Sequence, residues 1–201
     1  EALINQPAGL GDVLFCLKIA EIFKQTFNLS EVIWPINSNY SYLSEYIKND
    51  KINFYDINSN FEFKNLISCE EIIWKSKILS LPLRLGHAYC SGYSIMESKY
   101  VFLGLDYKNW WSNFKIIRNY ERENYLIKYL KVDISKPYNL INLNFNGISD
   151  ALKYNKNIKV DNDYPNVYMD FLGFDRVFDW IALLENAKEI HTVNTSLVYI
   201  I

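Results

Sequence analysis

The sequence predicts an α/β fold assembled from parallel βαβ units, and three observations carry that expectation. Short apolar runs of strand length alternate with amphipathic runs of helical period through most of the chain. The first apolar run enters a helix through a glycine-rich turn, Asn5-Gln6-Pro7-Ala8-Gly9-Leu10-Gly11-Asp12-Val13-Leu14. The same order of strand, turn and helix returns near the far end, where Glu189 to Val193 leads into Asn194-Thr195-Ser196. Strands joined through helices pair in parallel, with right-handed crossovers.

Taken in order, residues 10 to 27 form the first helix, with Leu10, Val13, Leu14, Leu17 and Ala20 on one stripe. Gly9 and Gly11 are expected to supply positive φ or close backbone approach at the turn. Glu31 to Ile36 is a strand limited by Pro35, Tyr40 to Ile47 a helix, and Ile52 to Ile57 and Glu70 to Trp74 two more strands. Leu81 to Gly92 reads as a loop and Ser94 to Leu103 as a helix. The aromatic, mildly basic segment Asp106 to Arg118 could stack on a sugar or a base, but packing at a domain join accounts for it more simply. Asn119 is placed to cap a helix running to about Val132, with Leu126, Tyr129 and Leu130 buried.

After Lys136-Pro137 the alternation restarts, dividing the chain into units 1–135 and 136–201. Tyr138 to Leu143 is a strand that ends in the turn Asn144-Phe145-Asn146-Gly147, topologically equivalent to the opening turn. Asn155 to Val160 is a weak strand candidate and Asn166 to Asp170 a better one. Asp175 is a suitable cap for a helix burying Val177, Ile181 and Leu184. The chain stops inside an apparent helix, Ser196 to Ile201, as a fragment would.

Composition removes several function classes. A formal net charge of −2 over 201 residues makes no electrostatic case for nucleic acid. No run approaches 18 apolar residues and no basic segment precedes an apolar one, so neither a membrane span nor a signal peptide is expected, and the location read from this is cytoplasmic. Cys16, Cys69 and Cys90 have no metal-ligand spacing and are read as reduced thiols.

Chemistry concentrates at the two turns. Asp12 lies in the first turn of a helix beyond a strand end, where an acid faces whatever occupies the crevice, although a plain interaction with the helix dipole explains the same residue. Gly-Leu-Gly-Asp-Val-Leu lacks the third glycine of the dinucleotide fingerprint, which disfavours a nicotinamide enzyme. Asn194-Thr195-Ser196 opens a helix with polar residues and free backbone N–H groups, which suits a phosphate and equally suits simple capping. Asp161-Asn162-Asp163 reads as a solvated loop rather than a divalent-ion site. His87, beside Tyr89 and Cys90, and His191 read as structural. With the two units face to face, Asp12 and Thr195-Ser196 meet across one cleft: a base for an incoming hydroxyl and a clamp for an anionic leaving group.

Three stretches, Gly9-Leu10-Gly11-Asp12-Val13-Leu14, Phe178 to Ile190 and Asn194 to Ile200, resemble in order the ADP-heptose:lipopolysaccharide heptosyltransferase family of GT-B glycosyltransferases. The resemblance implies two Rossmann-like α/β/α units with parallel sheets facing a cleft, the second incomplete: an acceptor-side unit and a donor-binding unit. It implies an inverting, metal-independent transferase with no cofactor beyond its nucleotide-diphosphate sugar donor. Asp12 becomes the base, Gly9, Leu10 and Gly11 its turn, and Asn146, Asn194, Thr195, Ser196 and Leu197 the donor side. The acceptor is a glycan or glycolipid, and peripheral contact with a membrane surface is compatible. The late motif departs from the family's Asp-Thr-Gly-x-x-His: Asn194 replaces the acid, Ser196 the glycine and Tyr199 the histidine. Lys153 and Lys156 do not align with its phosphate-binding lysine. A degenerate nucleotide-sugar- or glycan-binding domain, and a nucleotide-sugar epimerase, are the rival readings.

Overall fold

The computed structural model describes residues 1–6, 9–49, 51–59, 72–81, 92–113, 115–143, 160, 163–170, 172–193 and 196–201. It is a mixed α/β chain in two units, Glu1–Ile117 and Arg118–Ile201.

In the first unit, strands β1 (Ala2–Asn5), β2 (Val32–Ile36), β4 (Ile52–Asp56), β5 (Ile73–Lys75) and β6 (Ile78–Ser80) form a sheet of order β4-β2-β1-β6-β5. All neighbours are parallel except β5 and β6. The sequence reading expects parallel pairing throughout and does not foresee β6. Only Ser76 and Lys77 separate the two strands. A two-residue link closes a hairpin, whereas a parallel crossover needs a dozen residues or more.

Helix α1 (Leu10–Thr26) agrees with the predicted span, and all five predicted stripe residues are buried. Phe15, Cys16, Ile19 and Phe23 are buried as well, so the helix is covered over most of its circumference. Trp34 and Ile36 of β2 and Leu79 of β6 belong to the same core; burying each large apolar side chain is worth about 1.5–3 kcal/mol. The predicted helix Tyr40–Ile47 is a 3₁₀ turn (Ser38–Tyr40) followed by the single-turn α2 (Leu43–Tyr46). The next residues are β3 (Ile47–Lys48), which pairs antiparallel with β7 (Lys115–Ile116) and takes the chain out of the helix. Helix α3 (Ile95–Phe102) starts at a capping box: the Ser94 hydroxyl accepts from the Glu97 N–H, and the Glu97 carboxylate accepts from the Ser94 N–H.

The second unit has a parallel three-stranded sheet of order β10-β8-β9, from β8 (Asn139–Asn142), β9 (Asn166–Tyr168) and β10 (Glu189–Thr192). Helix α4 (Tyr120–Leu130) carries the expected Asn119 cap, whose side chain accepts from the Arg122 N–H. This helix belongs with the second unit, so the division falls at Ile117/Arg118 rather than after residue 135. The physical reason is a set of ion pairs: Arg118 bonds both Glu123 and Glu185, and Arg122 grips the buried Asp179 carboxylate through Nε and Nη2. Leu126 is buried as expected, but Tyr129 is 52% exposed.

Asp175 does not cap a helix. Its oxygens accept from the Leu172 N–H and the buried Trp180 indole, while Asp179 accepts from the Arg176 N–H at the start of the 3₁₀ turn Val177–Trp180. A carboxylate two residues short of the first helical N–H is better used closing the preceding turn, where Gly173 has φ +85°. Helix α5 (Ile181–Asn186) follows, and Val177, Ile181 and Leu184 are buried as predicted. The candidate strand 155–160 lies outside the described residues, apart from Val160. No described helix is long and apolar enough to cross a membrane.

Candidate functional site

Each sheet has one switch point, where the chain leaves a strand in one direction and later returns on its other side. In the first unit it lies between β1 and β6, in the second between β8 and β10. Open α/β sheets bind ligands beyond the carboxyl ends of such strand pairs. Both pairs end alike: Asn5 Nδ2 donates to Ser80 Oγ at 3.2 Å, and Asn142 Nδ2 donates to Thr192 Oγ1 at 3.1 Å. In both cases the partners are opposite in register. A local echo accompanies this, Leu3-Ile4-Asn5 in β1 and Leu140-Ile141-Asn142 in β8. None of these four residues is singled out by the sequence reading, and that repeated tripeptide was the available signal.

The expected turn geometry is not what the glycines provide. Gly9 has φ −68° and ψ 169°, an extended conformation open to any residue, and Gly11 lies inside α1. A side chain at Gly9 would meet nothing within 4 Å. Gly9 leaves space beside the helix start, and neither glycine takes a positive φ there.

Asp12 is in the first turn of α1, as expected, with 26% of its side chain exposed. Its Oδ1 accepts from Lys99 Nζ at 2.9 Å, and that lysine of α3 is completely buried. Lys99 also lies 3.6 Å from Met96 Sδ. One turn along α1 the Cys16 thiol is pushed up to about 11, mainly by burial, with Lys99 acting against the shift and Asp12 adding to it. Cys16 is thus a neutral core thiol rather than a nucleophile. Next to the turn, Gln6 is 1% exposed, and neither atom of its amide has a partner among the described residues. A buried unpaired amide costs about 1–3 kcal/mol, which marks Gln6 as a group with binding capacity to spare.

Phe15, one turn beyond Asp12, opens onto a cavity of about 390 Å³ whose walls include Tyr107, Trp110, Trp111, Glu97 and Asn109. Trp110 packs on Phe15 with ring centroids 5.0 Å apart, which is the packing role expected of this segment. Trp111 stands at 88° to Trp110 and is 56% exposed. The loop is anchored by Lys18 Nζ, which donates to the Asp106 and Lys108 carbonyls at 2.7 Å each.

Ser196 and Leu197, expected from the sequence to face a donor, begin a single 3₁₀ turn, Ser196–Tyr199, rather than an α-helix, and Leu197 is buried. Asn146, Asn194 and Thr195 lie outside the described residues, as do His87, Cys69 and Cys90. His191 Nε2 pairs with Glu189 at 3.0 Å on β10, a local contact within one strand. Asp163 is described, its motif partners Asp161 and Asn162 are not, and no group of three or more His, Cys, Asp or Glu side chains suited to a metal occurs among the described residues. No protein-family model, curated protein or solved structure matches the chain.

Proposed function

We propose that the chain is a glycosyltransferase that moves a sugar, heptose-like or another hexose, from a nucleotide-diphosphate sugar to a glycan or lipopolysaccharide-type acceptor with inversion. The pairing of its two units in the GT-B manner is part of the proposal. The observation that supports it most is the position of Asp12: a partly exposed carboxylate in the first turn of the helix that follows a switch-point strand. In the reaction, an acceptor hydroxyl attacks the anomeric carbon while Asp12 takes its proton, and the bond to the diphosphate breaks with the electron pair leaving on oxygen. A base held in this way is typically worth about 10²–10⁴ in rate. The aromatic cavity beside Phe15 offers stacking faces for an acceptor sugar, and backbone N–H groups near Ser196 would meet the diphosphate.

One observation favours a second reading, a nucleotide-sugar- or glycan-binding domain without catalysis. Asp12 already carries the counter-charge of a buried ammonium, a structural role that accounts for this carboxylate without any catalysis. Thermal unfolding against nucleoside diphosphates and nucleotide-sugars, with transfer assayed alongside, separates the two. A ligand at about 100 times its Kd stabilises by about 2.7 kcal/mol. The transferase reading expects one selective donor, transfer that Asp12→Asn abolishes without loss of the donor shift, and a shift that Ser196→Trp removes. A donor shift without transfer by the native chain selects the binding domain, donor conversion without acceptor selects an epimerase, and no shift with any donor rejects the proposal.

A further inference from the structure

We propose that the second unit carries a carbohydrate-binding surface along α4, distinct from the crevice at the ends of β8 and β10 and independent of the transferase reading. Its floor is a cavity of about 720 Å³, and no residue of β8 or β10 lines it. Small-molecule sites commonly occupy about 300–1,000 Å³. Tyr125 and Phe174 line it, and Tyr129 extends the cluster by contact with both rings. Tyr125 and Tyr129 are stacked at 6.4 Å, and Phe174 stands across both, at 5.6 Å and 79° to one and 5.2 Å and 73° to the other. Tyr125 and Tyr129 are more than half exposed and Phe174 is 39% exposed.

The bonds beneath hold the turn that carries Phe174 in place. Arg122 Nη2 donates to the Phe174 carbonyl at 2.6 Å and to Asp179 at 2.8 Å. Asp175 closes the turn from Leu172 to Phe174 and bonds the Trp180 indole at 2.6 Å. The turn that carries Phe174 is therefore fixed against α4 before any ligand arrives, and a ligand need not supply that part of the ordering entropy.

The polar groups decide the class of occupant. Glu121, Asn124 and Lys128 are exposed and share the Tyr125–Tyr129 face at spacings of three and four. From Glu121 to Tyr129 the stripe runs about 12 Å along the helix. It alternates flat aromatic faces with a carboxylate, an amide and an ammonium, of which the first two can accept from hydroxyls and the last two donate to them. A sugar chain presents the same alternation, C–H faces beside rings of hydroxyls. Seven of the ten lining residues are polar, which suits a hydroxylated ligand, and a stable protein partner would need about 800 Å² of complementary surface.

The test is titration of the full chain with linear tetrasaccharides of glucose, mannose and N-acetylglucosamine, followed by NMR shifts and calorimetry. At least one should bind, with shifts centred on α4. Tyr125→Ala and Tyr129→Ala should each weaken it by about tenfold, and Tyr129→Phe should retain it. The exposed positions of both tyrosines let the variants fold, which their unfolding curves would verify. The proposal is overturned if no tetrasaccharide binds, if binding survives both alanine variants, if the shifts centre away from α4, or if tetramethylammonium occupies the rings in preference to every sugar.

Discussion

Lys99 buries its ammonium completely against Asp12, 2.9 Å away, although the two residues are 87 positions apart in the chain. The same carboxylate is thus the proposed base and the counter-charge of a core lysine. Removing one partner of such a pair leaves an uncompensated charge and costs about 3–5 kcal/mol, toward the lower end here because water reaches Asp12. Asp12→Asn should lower the urea midpoint markedly, and adding Lys99→Met should restore most of the loss. If Asp12 is the base, the double variant is stable and still inactive; recovery of transfer in it would place the base elsewhere.

Gln6 offers a contrasting case. Its amide is buried and unpaired among the described residues, so Gln6→Leu removes a desolvated polar group and keeps the volume. Its urea midpoint should rise, by about 1 kcal/mol in stability, while the thermal shift given by any donor or acceptor bound at this crevice should shrink. Unfolding curves with and without ligand check both parts. A loss of stability instead would show that Gln6 is bonded in the folded protein.

Much of the framework was legible because it is local. The stripe of α1 and the cap at Asn119 depend on residues three or four apart, and each is found where the sequence places it. What the sequence concealed is long-range. Lys99 looks like a surface lysine on an amphipathic helix until Asp12 is brought beneath it. The strand-end bonds Asn5–Ser80 and Asn142–Thr192 join residues 75 and 50 apart. Strand β6 has three residues, too few for a period-two signal, and Tyr129 has the spacing of a core residue but stands against Phe174 at the surface.

Alkaline pH should weaken the first unit through Cys16. Its thiol titrates at about 11 in the fold against 9.0 for the unfolded group, so between these values the native state holds the proton more firmly. Stability is full below pH 9 and is lost as pH rises through 11. That separation corresponds to about 3 kcal/mol. Tyr138 in the second unit, raised to about 12 by burial, acts in the same sense at higher pH. Urea midpoints measured from pH 8 to 11 should fall, and the fall should be shallower in Cys16→Ala, which is less stable at pH 8 because of the cavity it leaves.

Arg122 ties three parts of the second unit together: the start of α4 through the Asn119 cap, the Phe174 carbonyl, and the buried Asp179. Arg122→Ala removes the guanidinium from Asp179, 2% exposed, which still accepts from the Arg176 N–H at 2.8 Å. Loss of the charge-assisted pair should cost about 2–4 kcal/mol and release the 172–175 turn. Amide hydrogen exchange should then accelerate at Leu172 and at the first turn of α4, while α1 keeps its protection. Arg122→Lys should recover little, because the bidentate grip on Asp179 needs a planar guanidinium. Uniform acceleration in both units would instead mean that Arg122 supports the whole chain, and the sugar-binding ledge would lose its local anchor.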